Sequence, residues 1–166
     1  MAIVRPEQPG DEPEIAAVLV AAFDDASEAD LVARLRDGDA WVPELSMVVQ
    51  QDARIVAYAL LSRVTAGGDS DALALGPVAV LDDYRGGGTG AALVRMGLSR
   101  ARQLGFDCAV AIGPPPFLAA CGFRPAAARG LTTRMEIPPD AFQVAELGPG
   151  GVTAGEVLWP LEWAPL

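Results

Sequence analysis

The sequence predicts a single α/β domain, spanning residues 1–166, with a central mixed β-sheet and helices on both faces. Segments whose apolar residues recur at helical spacing alternate with short runs typical of strands, which is the pattern of an α/β fold. Two of the strand-like runs are separated by only three residues, as in an antiparallel hairpin. Another is almost wholly apolar, as expected of a central strand covered on both faces. The length of 166 residues fits one domain.

The first elements are predicted to be a strand, two helices and the hairpin. Residues 2–5 form a short apolar run that Pro6 ends. The apolar residues of the next segment fall at helical spacing and are Ile15, Val18, Leu19, Ala22 and Phe23. A second helix is predicted from Ser27, as N-cap, to just before Gly38, with Ala29, Val32 and Leu35 on its apolar face. Residues 45–50 and 54–65 then form the hairpin.

The second half begins with a strand over residues 72–81 that contains Gly76 and Pro77. Because proline cannot donate to a β-ladder, this strand is expected to be bulged or locally splayed there. A helix follows, and its predicted apolar stripe is Leu93, Met96, Gly97, Ala101 and Leu104. Residues 107–112 are the apolar central strand, and 117–121 are a short helix after three prolines. Short β-like runs at 132–137, 141–147 and 155–163 complete the chain.

The composition excludes several kinds of chemistry. The net charge is −10, from 22 acidic and 12 basic residues, and there is no histidine or lysine. The chain therefore lacks an imidazole base, a histidine metal ligand and a Schiff-base amine, and we expect no metal site. An acidic chain is a poor binder of nucleic acid, because that affinity comes from clustered basic side chains. Small cationic or amine substrates fit better.

The two cysteines, Cys108 and Cys121, exclude a disulfide scaffold and are expected to be buried thiols. The acidic, proline-broken N-terminus has no signal-peptide pattern, and no apolar run approaches the length of a membrane span. The sequence therefore predicts a cytoplasmic protein with no membrane partner.

The strongest local signal is the segment Arg-Gly-Gly-Gly-Thr-Gly at residues 85–90, between a strand and a helix. Glycines let backbone N–H groups approach a ligand closely, and the helix N-terminus adds a positive dipole, so this loop suits a pyrophosphate. A Walker A loop is excluded because it requires lysine. A dinucleotide-binding fingerprint on Gly86, Gly88 and Ala91 fits poorly. The acidic residue of that fingerprint should lie at the end of a strand, whereas Asp107 lies at the start of one.

The loop resembles the Q/R-x-x-G-x-G/A pyrophosphate loop of the GCN5-related N-acetyltransferase (GNAT) superfamily. GPVAVLDDYRGGGTGAALV resembles that family's fourth strand, loop and helix, and GPPPFLAACGFRPA resembles its short helix ending in Gly-Phe. AFQVAELGPGGV near the C-terminus is similar to a bacterial subgroup of predicted N-acetyltransferases. The resemblance covers nearly the whole chain and implies a cleft between two splayed central strands that binds acetyl-CoA.

The resemblance also implies a function and a set of binding residues. In this family the backbone before the splay binds pantetheine, which maps onto Val78, Ala79 and Val80, and an N–H near Val80 stabilises the tetrahedral oxyanion. The pyrophosphate would be held by Arg85, Gly86, Gly87, Gly88, Thr89 and Gly90. The implied reaction is acetyl transfer from acetyl-CoA to a small-molecule or peptide amine by direct attack in a ternary complex. Because family members are often dimers, a homodimer is also an expectation.

One position departs from the family's pattern. The usual general acid is a tyrosine four residues before the glycine of the Gly-Phe step, and here that position is Leu118, with Phe117 beside it. Leucine cannot donate a proton. Water can serve as the acid at a loss of about 10²- to 10⁴-fold, or Cys121 or Tyr84 replaces it. Alternatively, the chain is a catalytically weak or inactive acyl-CoA-binding regulatory module. No catalytic residue is identified.

The acceptor site is equally open. Three acidic residues between the first two helices either attract an amine or form a solvated turn: Asp24, Asp25 and Glu28. Three tryptophans either wall an acceptor pocket or belong to the core or a subunit contact: Trp41, Trp159 and Trp163.

Overall fold

The structure is a computed structural model that describes residues 1–163, apart from the side chains of Asp69 and Ser70. The helices are α1 (Glu12–Phe23), α2 (Ser27–Arg36), α3 (Thr89–Gln103) and α4 (Pro115–Ala120). The strands are β1 (Ala2–Pro6), β2 (Ser46–Gln51), β3 (Arg54–Ala66), β4 (Asp69–Val80), β5 (Cys108–Ile112), β6 (Arg124–Pro125), β7 (Leu131–Thr132), β8 (Phe142–Glu146) and β9 (Gly155–Leu158).

The described strands form one mixed sheet in the order β1-β2-β3-β4-β5-β8-β6, and β9 pairs with both β3 and β7. The pairs β4–β5 and β7–β9 are parallel, and the other pairs are antiparallel. The predicted hairpin is confirmed as β2 and β3, joined through Asp52 and Ala53, which both have positive φ. No helix among the described residues is long and apolar enough to cross a membrane.

The sheet is covered by helices on both faces, as predicted. On one face, α3 and α4 pack on odd-numbered β5 residues such as Ala109 and Ala111, and we call this the α3 face. On the other, α1 and α2 pack against β2 and β3 around the fully buried Tyr58. This α1/α2 face continues along the sheet into a cluster that includes Cys108 and Val110 and carries part of the C-terminal segment.

The first two helices differ from the prediction in two details. Ile15, Val18 and Leu19 are buried in α1 as predicted, but Phe23, in its last turn, is 39% exposed. Ser27 is the first residue of α2 rather than its N-cap. Its N–H donates to the Asp25 carboxylate, so the turn between the helices is stabilised from outside α2.

The predicted apolar stripe of α3 is wrong at two positions. Met96 and Leu104 are 47% and 44% exposed. The buried face consists of Leu93, Val94, Gly97, Leu98 and Ala101. The two sets share the i, i+4 series 93, 97 and 101, and only the position of the sheet decides which neighbouring residues join it.

The C-terminal third contains less strand than predicted. Of the β-like run at 132–137, only Thr132 lies in a strand, and the run at 155–163 ends as a strand at Leu158. β8 forms as predicted and pairs with β5. Pro160 and the short 3-10 helix that follows it account for the early end of β9, because proline has no N–H to donate.

Candidate active site

The central feature of the site is the point where β4 leaves β5. The two strands pair in parallel from Ala72 opposite Cys108 to Leu75 opposite Ala111. Beyond Leu75, β4 continues along β3 alone, with Gly76 and Pro77 inserted opposite a single β3 residue. The bulge places the proline where no ladder N–H is needed. A gap therefore opens between β4 and β5, as the Gly-Pro step predicted.

The register of β3 and β4 directs particular backbone groups into this gap. Leu81 N–H donates to the Val56 carbonyl, so Leu81 faces β3. Because antiparallel pairing alternates, the N–H and C=O groups of Val80 and Val78 point away from β3, towards the gap, whereas those of Ala79 face β3. Val78 and Val80 are thus placed to bind an extended ligand through their backbones, and Ala79 is not.

A cavity of about 830 Å³ occupies the gap and extends to the glycine loop. Among the described residues, every position predicted to bind the cofactor lines it except Gly87. It is also lined by Ala22, Phe23, Glu28, Leu75, Gly76, Pro77, Tyr84, Ala91, Ala111, Ile112, Gly113, Pro114, Phe117, Leu118, Met135, Trp159 and Trp163. The predicted strand residues and the predicted loop are therefore brought to one cavity.

The glycine loop presents backbone rather than side chains. Gly88 is the N-cap of α3, with φ of 80°, and it supplies no capping side chain for the first-turn N–H groups of the helix. Gly90 packs against the cavity wall: a Cβ there would be in ordinary van der Waals contact, 3.4 Å from Cγ2 of Val80 and 3.5 Å from Cε1 of Phe117. Uncapped N–H groups at the start of a 15-residue helix are able to accept an anion as a hydrogen-bond partner.

Arg85 connects this loop to the strand. Its Nε donates to the Val80 carbonyl at 2.9 Å, and its Nη1 lies 3.0 Å from Oδ1 of Asp82. The side chain is 51% exposed. The guanidinium group is therefore held beside the start of the loop, while part of it stays accessible to a ligand.

Leu118 is buried, at 3% exposure, and contributes to the cavity wall beside Phe117. Of the two suggested replacements for the missing acid, Tyr84 lines the cavity and Cys121 does not. Burial raises the pKa of the Cys121 thiol, partly opposed by the charge of Arg95. The other tyrosine, Tyr58, lies in the core, where it hydrogen-bonds Ser46 at 2.7 Å and burial strongly raises its pKa.

The structure separates the three acidic residues of the acceptor hypothesis. Asp24 ends α1 in a left-handed conformation, and the Asp25 carboxylate accepts hydrogen bonds from Ser27, which lower its pKa. These two residues form the turn. Glu28, by contrast, is partly buried and lines the cavity. Burial raises the pKa of Glu28, and the negative charge of Asp25 raises it further.

The three tryptophans are separated in the same way. Trp159 and Trp163 line the cavity, with ring centroids 5.2 Å apart and ring planes at 56°. Trp41 lies against the α1/α2 core, with the guanidinium of Arg36 5.2 Å from its ring centroid. Sequence spacing gave no signal that Met135 belongs to the same wall. It is brought there by the Thr133 hydroxyl, which accepts hydrogen bonds from the Met135 N–H and from Nε1 of Trp159.

The cavity crosses the sheet. Gly90, Phe117 and Leu118 contribute to its wall from the α3 face. Phe23, Glu28, Trp159 and Trp163 belong to elements of the opposite face. The fold and the site thus define an α/β protein with a glycine loop and an uncapped helix N-terminus on one side of a split sheet, and a pocket lined by aromatic residues and Glu28 on the other.

Comparison with known proteins agrees with this class. The model of the Acetyltransferase (GNAT) family matches residues 13–123. The uncharacterized N-acetyltransferase YhbS of Escherichia coli is 32% identical over 146 residues, covering 87% of each chain. The uncharacterized N-acetyltransferase YjhQ of the same organism is 31% identical over 134 residues, covering 78% of this chain and 74% of YjhQ.

Two solved structures are similar to this chain over almost its full length. The E. coli YhbS structure in complex with CoA gives a TM-score of 0.90 at 32% identity, covering 98% of this chain and 91% of YhbS. A GNAT family acetyltransferase from Brucella melitensis in complex with acetyl-CoA gives 0.83 at 28% identity, covering 99% of both chains. The chain belongs to the GNAT family of acetyltransferases, as the sequence motifs predicted.

Proposed function

We propose that this chain is an N-acetyltransferase that moves an acetyl group from acetyl-CoA to an amine by direct attack in a ternary complex, acting as one domain over residues 1–166. The observation that carries the proposal is the gap between β4 and β5, where backbone groups of Val78 and Val80 and the N-terminus of α3 face one cavity. The relatives in complex with CoA and acetyl-CoA support acetyl-CoA as the co-substrate.

In this proposal, acetyl-CoA occupies the α3-face half of the cavity. The pyrophosphate lies on the residues of the glycine loop, which are Arg85, Gly86, Gly87, Gly88, Thr89 and Gly90, because their N–H groups and the helix dipole favour negative charge. The pantetheine runs along the backbones of Val78 and Val80. The Val80 N–H then polarises the thioester carbonyl and stabilises the oxyanion of the tetrahedral intermediate.

Leu118 favours a second candidate function, a catalytically weak or inactive acyl-CoA-binding regulatory module. Leu118 lines the cavity, the resemblance to the family places it where the usual acid stands, and leucine has no proton to donate. We place the enzyme first, because CoA thiolate can take its proton from water or from Tyr84, which lines the cavity.

The test is calorimetric titration of acetyl-CoA into Thr89→Glu and Thr89→Gln. Thr89 is the first residue of α3 and lines the cavity. A carboxylate there suits the helix dipole, so the fold tolerates it, but it repels a pyrophosphate. We expect Thr89→Glu to lose binding by about 100-fold or more, and the neutral, similarly sized Thr89→Gln to bind much more tightly than Thr89→Glu.

Thiol release by the wild-type chain in the presence of acetyl-CoA and amines decides between the two functions. Thiol release with any amine supports the enzyme. Tight binding without turnover of any amine supports the regulatory module. Equal affinity of the two Thr89 variants would overturn the placement of the pyrophosphate, and a wild-type chain that binds no acetyl-CoA would overturn both functions.

A further inference from the structure

The part of the cavity on the α1/α2 face has its own chemical character, and we call it the aromatic pocket. It is lined by Ala22, Phe23, Glu28, Met135, Trp159 and Trp163. Glu28 supplies its charge and the others supply apolar or aromatic surface. Elsewhere along the described lining, the one other charged side chain is Arg85, at the glycine loop, where it contacts Asp82 and the Val80 carbonyl.

Within the described residues, no cation pairs with the Glu28 carboxylate, although the side chain is partly buried. The nearby Asp25 carboxylate acts on it electrostatically and carries a charge of the same sign. A partly buried carboxylate with a like-charged neighbour is unfavourable in the free protein, as its raised pKa shows. A cationic ligand would offset this unfavourable burial and repulsion of the Glu28 carboxylate.

The aromatic walls of this pocket are held in place. Arg34 on α2 donates from Nη2 to the Glu162 carbonyl at 3.0 Å, which ties the segment carrying Trp163 to the helix carrying Glu28. Nε1 of Trp159 donates to Oγ1 of Thr133 at 3.1 Å. Fixed aromatic rings and a carboxylate that line the same pocket attract an ammonium group through both the ring quadrupole and the charge.

The next inference rests on the proposed function. We propose that the acceptor is a primary amine on an apolar, aryl-alkyl body, and that the Glu28 carboxylate binds its ammonium group and accepts its proton. Among its described residues, the aromatic pocket offers no cation for an acceptor carboxylate, which disfavours free amino acids. The same described residues offer no second acid for further ammonium groups, which disfavours polyamines and aminoglycosides.

The proton balance of the reaction is complete. The ammonium gives one proton to Glu28, and the neutral amine nitrogen attacks the thioester carbonyl carbon, forming the C–N bond. The tetrahedral intermediate collapses with cleavage of the C–S bond, whose electron pair leaves on sulfur. The nitrogen then loses its second proton and the thiolate gains one, giving the amide, CoA and protonated Glu28, which releases its proton to solvent.

The test uses four acceptors with the full chain and acetyl-CoA, read by thiol release. The probe is 2-phenylethylamine, compared with L-phenylalanine, which adds a carboxylate, butylamine, which lacks the ring, and spermidine, which adds ammonium groups. We expect 2-phenylethylamine to have the highest kcat/KM, by about tenfold or more. A higher value for spermidine or L-phenylalanine would overturn the substrate class.

The role of Glu28 is tested with Glu28→Gln, Glu28→Asp and the control Asp30→Asn, which removes a charge from an exposed position in the same turn of α2. We expect Glu28→Gln to lower kcat/KM for 2-phenylethylamine by about 100-fold, with Glu28→Asp intermediate and the affinity for acetyl-CoA unchanged. Asp30→Asn should match the wild type. An unchanged kcat/KM in Glu28→Gln would refute the role.

Binding of 2-phenylethylamine to CoA-saturated protein supplies a readout that does not depend on turnover. We expect binding to weaken in Glu28→Gln and not in Asp30→Asn. If acetyl-CoA binds but 2-phenylethylamine neither binds nor reacts, the inference fails and the proposed function stands. If acetyl-CoA itself does not bind, both fail.

Discussion

Nε of Arg85 donates to the carbonyl oxygen of Val80 at 2.9 Å, linking the first residue of the glycine loop to the last residue of β4. The bond fixes the charge of the loop relative to the strand that leaves β5. A ligand that runs along β4 and ends in a phosphate would meet this guanidinium at its charged end. Arg85 is therefore expected to contribute to affinity more than to stability, because it is half exposed.

Arg85→Ala should weaken acetyl-CoA binding by about tenfold, since a charge-assisted contact to phosphate is lost. The free energy of unfolding should change by less than about 0.5 kcal/mol, as is usual for exposed positions. Calorimetry and chemical denaturation measure the two quantities. Arg54→Ala, at an exposed position in the β2–β3 hairpin, controls for net charge and should leave binding unchanged. Equal affinity of the two variants would count against the phosphate contact.

Leu118→Tyr should raise kcat by about tenfold or more, because the hydroxyl group restores a general acid beside the cavity. Leu118→Phe is the matched control, with the same ring and no hydroxyl, and should show no gain. Both variants enlarge a buried side chain and should cost about 1–3 kcal/mol of stability. Stopped-flow thiol release measures the rate. An equal kcat for both variants would mean that thiolate protonation does not limit turnover.

Glu28→Gln should stabilise the free protein at neutral pH. The pKa of Glu28 is raised above its ordinary value of 4.5, so the folded state favours the protonated form. Below about pH 3 the group is protonated in both folded and unfolded states, and the variant should match the wild type. As the pH rises through 4.5 and the raised pKa, the wild type alone loses stability. Thermal melts across this range measure the difference, and a variant less stable at pH 7 would contradict it.

Asp11→Asn should destabilise the protein by about 1–2 kcal/mol at pH 7, because Nη1 of Arg5 donates to this carboxylate at 2.7 Å. The hydrogen bond from Arg5 is the main cause that lowers the pKa of Asp11 below its ordinary value of 3.8. Stability from this pair is therefore present above that value and is lost as the pH falls through the lowered pKa. Denaturant titrations at neutral and acidic pH should show the two proteins converging in acid.

The α3-face half of the site could be predicted from sequence because its signals are local. A glycine loop, a helix start and a Gly-Pro step in a strand each act within a few residues of the chain. The face of α3 was less certain, because Met96 and Val94 both neighbour the common series and only the sheet selects Val94. The direction of the Ala79 backbone likewise depended on the register with β3, which the sequence does not specify.

The aromatic pocket could not be predicted, because it is assembled from distant parts of the chain. Glu28 comes from α2, whereas Trp159 and Trp163 come from the end of the described chain. The sequence identified each as one member of a set with two interpretations. The fold made the choice, placing Glu28 in the wall and Asp24 and Asp25 in the turn, and no periodicity in the sequence carries that information.

The split sheet divides the cavity into two halves that differ in how they tolerate evolutionary change. The half at the glycine loop is built mainly from backbone groups. Most substitutions there therefore leave its N–H hydrogen-bond donors in place, provided that the glycines remain. The aromatic pocket is built from side chains, and a single substitution at Glu28 or Trp159 changes its charge or shape. Under the proposed function, a point mutation in the aromatic pocket would therefore change the acceptor while the acetyl-CoA site is inherited unchanged.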